Sequence, residues 1–190
     1  MNSLSDVVKR QFVFQESMNS NTAEMYLALV AELGEMVDSM GAFSWKPSER
    51  DPENMDMELI DIAVFAINLA FYEDSTKMTK TVDLSELDDY HLVMSIVNLL
   101  AARKYIDIAF SILYNRQDLI DIITAKQALN RLRQDYGYRE GKYIKIWNGQ
   151  EDNVTLRKFY GEDYDTVYKK MEEIYTSSVI PGSLVNVFDD

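Results

Sequence analysis

Apolar and polar positions alternate with a helical period along most of the chain. Asp6 to Ser17, with Val7, Val8, Phe12 and Phe14 apolar, predicts a first helix. Asn21 or Thr22 can cap a second helix running to about Met40, and Gly41 stops it. Its apolar stripe holds Tyr26, Leu27, Leu29, Val30, Leu33 and Val37. Asp51 as N-cap and Pro52 at the first helical position open a third helix to about Tyr72. That helix is hydrophobic on most sides after Ile60, which predicts a central, buried element. Leu84 to Tyr114 reads as one long helical region entered through the acidic Asp83 to Asp89 stretch, and Asp118 to Tyr136 as another helix. Gly137 and Gly141 break the pattern. Tyr138 to Gly161 is polar and loop-like, with a short β-like stretch at Tyr143 to Trp147. Glu162 to Tyr175 reads as a last helix, and an apolar-tipped tail follows to Asp190. The pattern predicts an all-α helical bundle in one domain over residues 1–190, with a tail from about 176 to 190.

Composition supports this and narrows the chemistry. The 190 residues are 47% hydrophobic, enough for a real core, and only 7 Gly and 3 Pro interrupt the helices. Cysteine is absent, which excludes disulfides and thiolate metal sites. The net charge of −13 argues against nucleic acid as a general partner. Apolar runs such as Ile62 to Tyr72 are too short to span a bilayer. The N-terminus has no charged-then-apolar signal pattern, so the expectation is a cytoplasmic protein with no membrane partner. The charge by itself fits plain solubility equally well. It also fits an acidic helical interaction protein that binds a basic partner through the tail residues Val185, Val187 and Phe188.

Two acidic pairs carry candidate chemistry. Glu32 and Glu35 stand at i and i+3 in the second predicted helix, and Glu58 and Asp61 at i and i+3 in the third. Each pair lies on one helix face among apolar neighbours. Two antiparallel helices can bring all four carboxylates to one spot, where like charges repel unless cations neutralise them. Hard oxygen donors select Mg²⁺, with Mn²⁺ as the alternative. A di-iron bundle would need two Glu-x-x-His motifs, and the single histidine, His91, lies in neither pair. Spacing alone leaves two readings open, a metal site or solvated helix faces.

A second group is basic and aromatic. Lys126, Asn130 and Arg133 follow i, i+4, i+7 and share a face. Beyond them lie Gln134, Gly137, Tyr138, Gly141, Tyr143, Lys145 and Glu151-Asp152-Asn153. A triphosphate requires such a set of cations, hydroxyl and amide donors. Simple pairing of Lys126 and Arg133 with the surplus carboxylates is the other reading.

Taken together these segments resemble a known family. Glu32-Leu-Gly-Glu35 followed by Glu58-Leu-Ile-Asp61 is similar to the ExxE…ExxD signature of the all-α NTP pyrophosphatases, which include MazG-like proteins, phage dCTPases and the dimeric dUTPases. The stretch from Lys126 through Asn153 resembles the C-terminal motifs of the dimeric dUTPases, and Gln15, Asn19 and Trp45-Lys46 resemble their nucleoside-side segments. The resemblance covers about residues 10 to 155. It implies a homodimer that hydrolyses dUTP to dUMP and pyrophosphate, with Glu32, Glu35, Glu58 and Asp61 holding Mg²⁺. It implies catalysis through Glu32 or Glu35, which orients or deprotonates the attacking water. Lys126, Arg133, Tyr138, Lys145 and Asn153 would grip the phosphates, and Gln15, Asn19, Trp45, Phe65, Asn68 and Asn130 would line the nucleoside pocket. Two departures bear on the base: Val64-Phe65 replaces the His-Phe of many members, and Asn68 stands where many dUTPases have Ser. They make a dCTPase, or a phage-type enzyme taking both dCTP and dUTP, the alternative expectation.

Overall fold

The computed structural model describes residues 2–18, 21–41, 49–73, 77–84 and 87–179. Among them helices dominate, as the pattern predicts. The described residues group into two compact units, one within 3–120 and the other made of residue 2 with 121–179.

The first unit is built around the most apolar helix. Helix α1 spans Leu4–Glu16, α2 Thr22–Ser39, α3 Pro52–Tyr72, α4 Asp89–Ala101 and α5 Tyr105–Leu113. Asp51 caps α3 through Asn54 N–H, with Pro52 at the first turn, as the sequence predicts. From Leu59 to Ala70 most of its side chains are buried, because α1, α2 and α5 all pack against it. Asn21 and Glu24 form a reciprocal capping box that starts α2. The predicted stripe of α2 is only partly interior: Leu29 is buried, while Tyr26, Leu27 and Val30 are exposed. The expected helix from Leu84 to Tyr114 is instead two helices. Arg103 adopts a left-handed backbone (φ 55°), and the Lys104 N–H bonds back to the Leu99 carbonyl, ending α4. The connector before α4 is tied to α5 by buried side chains. Asp107 accepts from the Thr79 backbone N–H and hydroxyl, and Ser111 accepts from Val82 N–H.

The second unit takes α6, Gln117–Asp135, from Asp121 onward. Gly137 (φ 79°) follows α6 and lets Tyr138 N–H return to the Arg133 carbonyl. The predicted β-like stretch is a two-stranded hairpin, β1 Ile146–Trp147 against β2 Gln150–Glu151. Asn148 and Gly149 both have positive φ (50° and 80°), the tight turn that matches strand twist. The sequence pattern missed α7, Asp152–Leu156, a single short turn without amphipathic period. Helix α8, Tyr164–Val179, closes a core of Leu129, Leu132, Tyr143, Trp147, Leu156, Val167, Met171 and Tyr175. Tyr143 and Tyr175 stack there with ring centroids 5.1 Å apart. No helix among the described residues is long and apolar enough to cross a membrane.

Candidate active site

The chain reversal between α2 and α3 sets the level of the carboxylates. Asp51 N–H bonds to the Ser39 carbonyl at 2.9 Å, and the Asn54 amide donates to the Ser39 hydroxyl at 2.7 Å. The two helices therefore run back along each other. Glu32 lies seven residues before Ser39 and Glu58 seven residues after Asp51. At 1.5 Å per residue both stand about 10 Å from the reversal, opposite one another. Asp61, one turn further on α3, shares the Glu58 face.

The structure brings Glu32, Glu58 and Asp61 together, with one carboxylate oxygen of each within 4.8 Å of the others. Glu58 is buried, and the Asn54 amide donates to its Oε1 at 3.0 Å. Glu32 and Asp61 are half-buried. Two full charges at that separation repel by about 3 kcal/mol at an effective dielectric near 20. The protein answers with a proton: desolvation, a hydrogen bond shared with Glu58 and the nearby Asp61, Glu58 and Glu35 charges push Glu32 up to about 8. Glu35 is exposed on the next turn of α2, outside this group of three, yet near enough to add to the field at Glu32.

Further along the same face of α3, at seven-residue spacing from Asp61 and fourteen from Glu58, a polar ladder joins α1. Gln11 donates to Asn68 Oδ1 at 2.9 Å, and Gln15 donates to the Tyr72 hydroxyl at 2.7 Å. Both pairs are 57 positions apart, so α1 and α3 run parallel there. The Asn68 amide nitrogen faces Met25 Sδ at 3.6 Å. Gln15 and Asn68 were expected from sequence; Gln11 and Tyr72 were not. A signal existed, since Gln11 and Gln15 occupy the same buried face of α1 as Val7. Phe65 is half-buried on α3. Asn19 and Trp45 lie outside the described residues.

In the second unit the basic and amide residues gather on one buried carboxylate, Asp152. Arg133 donates to it twice, from Nε and Nη2, each at 2.9 Å. The Tyr143 hydroxyl donates to the same carboxylate at 2.8 Å, and the Asn153 N–H at 2.8 Å. Arg133 further donates to the side-chain oxygens of Asn130 and Asn153, each at 3.3 Å. Burial pulls the guanidinium down, but the hydrogen-bonded Asp152 outweighs it and the net direction is up. Burial, and then the Asp152 charge, pushes the Tyr143 phenol well above its usual range. The exposed Tyr138 ring meets two cations, Arg133 at 5.9 Å and Lys145 at 5.3 Å. Thus Asn130, Arg133, Tyr138, Lys145 and Asn153 form one neighbourhood. Lys126 is half-buried two turns earlier on α6. Sequence spacing had left open a plain ion pair for Arg133, and Asp152 provides it.

An all-α fold whose central helix pair converges three carboxylates offers an all-oxygen site for a cation. A family model described as dUTPase matches residues 2–138. The chain belongs to that dimeric, all-α dUTPase family of the MazG-like superfamily, and it is a nucleoside-triphosphate pyrophosphohydrolase that splits dUTP. The matched range contains the acidic pairs, Asn130, Arg133 and Tyr138, and stops short of Lys145 and Asn153. No curated protein matches the chain.

Proposed function

We propose that dUTP hydrolysis here is Mg²⁺-dependent and that Glu32, Glu35, Glu58 and Asp61 hold the metal. The observation that carries this is the approach of Glu32, Glu58 and Asp61 to within 4.8 Å, with Glu32 raised to about 8. An all-oxygen set of crowded carboxylates fits a hard divalent ion. When bound, Mg²⁺ would neutralise phosphate charge and lower the pKa of the attacking water. The proton of that water passes to the α2 pair, Glu32 or Glu35. Water attacks phosphorus and the bond to the leaving group breaks, giving dUMP and pyrophosphate with no covalent enzyme intermediate.

Lys126, Arg133, Tyr138, Lys145 and Asn153 bind the phosphates. Arg133 is preoriented by Asp152, and Lys145 is exposed over the Tyr138 ring. Gln15, Asn19, Trp45, Phe65, Asn68 and Asn130 line the nucleoside side. The Gln11 donor turns Asn68 so that its amide nitrogen points away from α1, a fixed orientation that sets the base edge it can read. The working form is a cytoplasmic homodimer. The exposed Tyr26, Leu27 and Val30 on α2 support self-association, and a monomeric mass in solution would remove that part.

Glu35 supplies the test of the metal assignment, since it lies outside the group of three. Glu35→Gln is expected to lose nearly all turnover at saturating Mg²⁺ while its helical circular dichroism and melting temperature stay close to wild type. An active Glu35→Gln enzyme would confine metal binding to Glu32, Glu58 and Asp61.

A further inference from the structure

The Arg133 cluster has an organiser that the phosphate-binding set does not include. Asp152 is 1% exposed, so its charge is removed from water and must be met by protein groups. Four donors meet it: Arg133 Nε and Nη2, the Tyr143 hydroxyl and Asn153 N–H. Its own N–H is held by the Lys145 carbonyl at 2.8 Å, at the base of the β1–β2 hairpin. One residue is thus bonded to Arg133 and Asn153 through its carboxylate and to Lys145 through its backbone.

We propose that Asp152 is a positioning residue for pyrophosphate recognition, acting through Arg133. This inference rests on the phosphate-binding role given to Arg133 above. A guanidinium on a flexible stem loses rotamer entropy each time it fixes a phosphate. The two-point grip of Asp152 fixes the guanidinium plane before any ligand arrives. The same plane then presents Nη1 beside Asn130 and Nη2 beside Asn153, so amide and cationic donors arrive as one rigid set. Asp152 touches no substrate in this role. A lysine at 133 cannot replace the arginine, because one ammonium cannot span both carboxylate oxygens in a fork while holding the two asparagines.

The test uses Asp152→Asn in the full-length enzyme, which keeps size and loses the charge and the two-point grip. Three ligands are titrated with Mg²⁺ present: dUTP in turnover, inorganic pyrophosphate and deoxyuridine. The expected result is a weakening of dUTP (as KM) and pyrophosphate by roughly 10- to 100-fold, with deoxyuridine binding changed by less than about 3-fold, since among the described nucleoside-side residues Asn130 alone is bonded to Arg133. A purely structural role would instead weaken all three in proportion to lost folded protein, and that outcome overturns the proposal. Tyr143→Phe keeps the ring stack on Tyr175 and removes one donor; it provides a folded variant should Asp152→Asn misfold, and it is expected to shift pyrophosphate binding the same way by a smaller factor. A Tyr143→Phe enzyme with wild-type pyrophosphate binding, beside a misfolded Asp152→Asn, also overturns it. A double-mutant cycle separates this inference from its premise. If Arg133→Ala alone leaves dUTP turnover intact, the phosphate role of Arg133 fails. If Arg133→Ala is impaired and Asp152→Asn impairs it further by its full single-variant factor, Asp152 does not act through Arg133 and this inference alone fails.

Discussion

Glu32→Gln is expected to lower kcat/KM for dUTP by about 10³-fold or more and, at the same time, to stabilise the metal-free protein. The two effects have one cause. Glu32 meets Glu58 and Asp61 within 4.8 Å, so its charge opposes folding, and in the proposed metal site the same charge serves the cation. Gln has the same length and keeps an acceptor and a donor toward Glu58, but it carries no charge to a cation. At pH 9 in EDTA, where wild-type Glu32 must ionise, the variant should melt a few degrees higher; a gain on the order of 1 kcal/mol gives such a shift in a chain of this size. With saturating Mg²⁺ the order should reverse, because only the wild type binds the ion tightly. Thermal melts with and without Mg²⁺, set beside pyrophosphate release, read both effects. A Glu32→Gln enzyme that turns over normally, or that melts lower than wild type in EDTA, would break the link.

The second large effect is on stability as a function of pH. The ordinary value for the Glu32 carboxyl is 4.5, and desolvation with the neighbouring acids raises it to about 8. A raised carboxyl binds more protons folded than unfolded, so its contribution is intact below about 4.5 and is lost as pH rises toward 8. The metal-free protein should therefore lose stability across that window, opposite to the usual gain from carboxylates paired with cations. Glu32 is half-exposed, so solvent screening reduces the effect to on the order of 1–2 kcal/mol. Mg²⁺ binds the ionised form and should cancel the loss above neutrality. Urea midpoints at pH 5 and pH 8, each with EDTA and with Mg²⁺, measure this; equal midpoints in EDTA at both pH values would contradict the raised Glu32 carboxyl.

Much of the fold was legible because its strongest signals are local. Asp51-Pro52 marks the start of α3 and the unbroken apolar run after Ile60 marks its central place. The i, i+3 acidic pairs are likewise a one-helix pattern, and the reversal marked by the Asp51 to Ser39 bond sets Glu32 opposite Glu58 and Asp61, with Glu35 left outside. The break at Ala102–Lys104 was not legible, because Arg103 takes a left-handed backbone without the glycine that usually announces one. The exposure of Tyr26, Leu27 and Val30 was hidden for another reason: a periodic apolar stripe shows which face is apolar, not whether this chain alone covers it. Asp152 stands out in the sequence only as part of the Glu151-Asp152-Asn153 stretch, with no role of its own, because its partner Arg133 is 19 positions away and lies across a hairpin whose closure no helical period records. Gln11 was passed over since a polar residue on an apolar face gains meaning only from its partner, Asn68. Asn19 and Trp45 lie outside the described residues, and they stay part of the proposed nucleoside side.

The most direct measurement is pyrophosphate release by the wild-type enzyme from each dNTP in turn, in Mg²⁺ and in EDTA. The expected result is release from dUTP in Mg²⁺, far above that from dCTP, dTTP and the purine dNTPs, and none from any of them in EDTA. Equal release from dUTP in EDTA, or no release from dUTP in Mg²⁺, would contradict a carboxylate-held metal at Glu32, Glu58 and Asp61 as the centre of this enzyme.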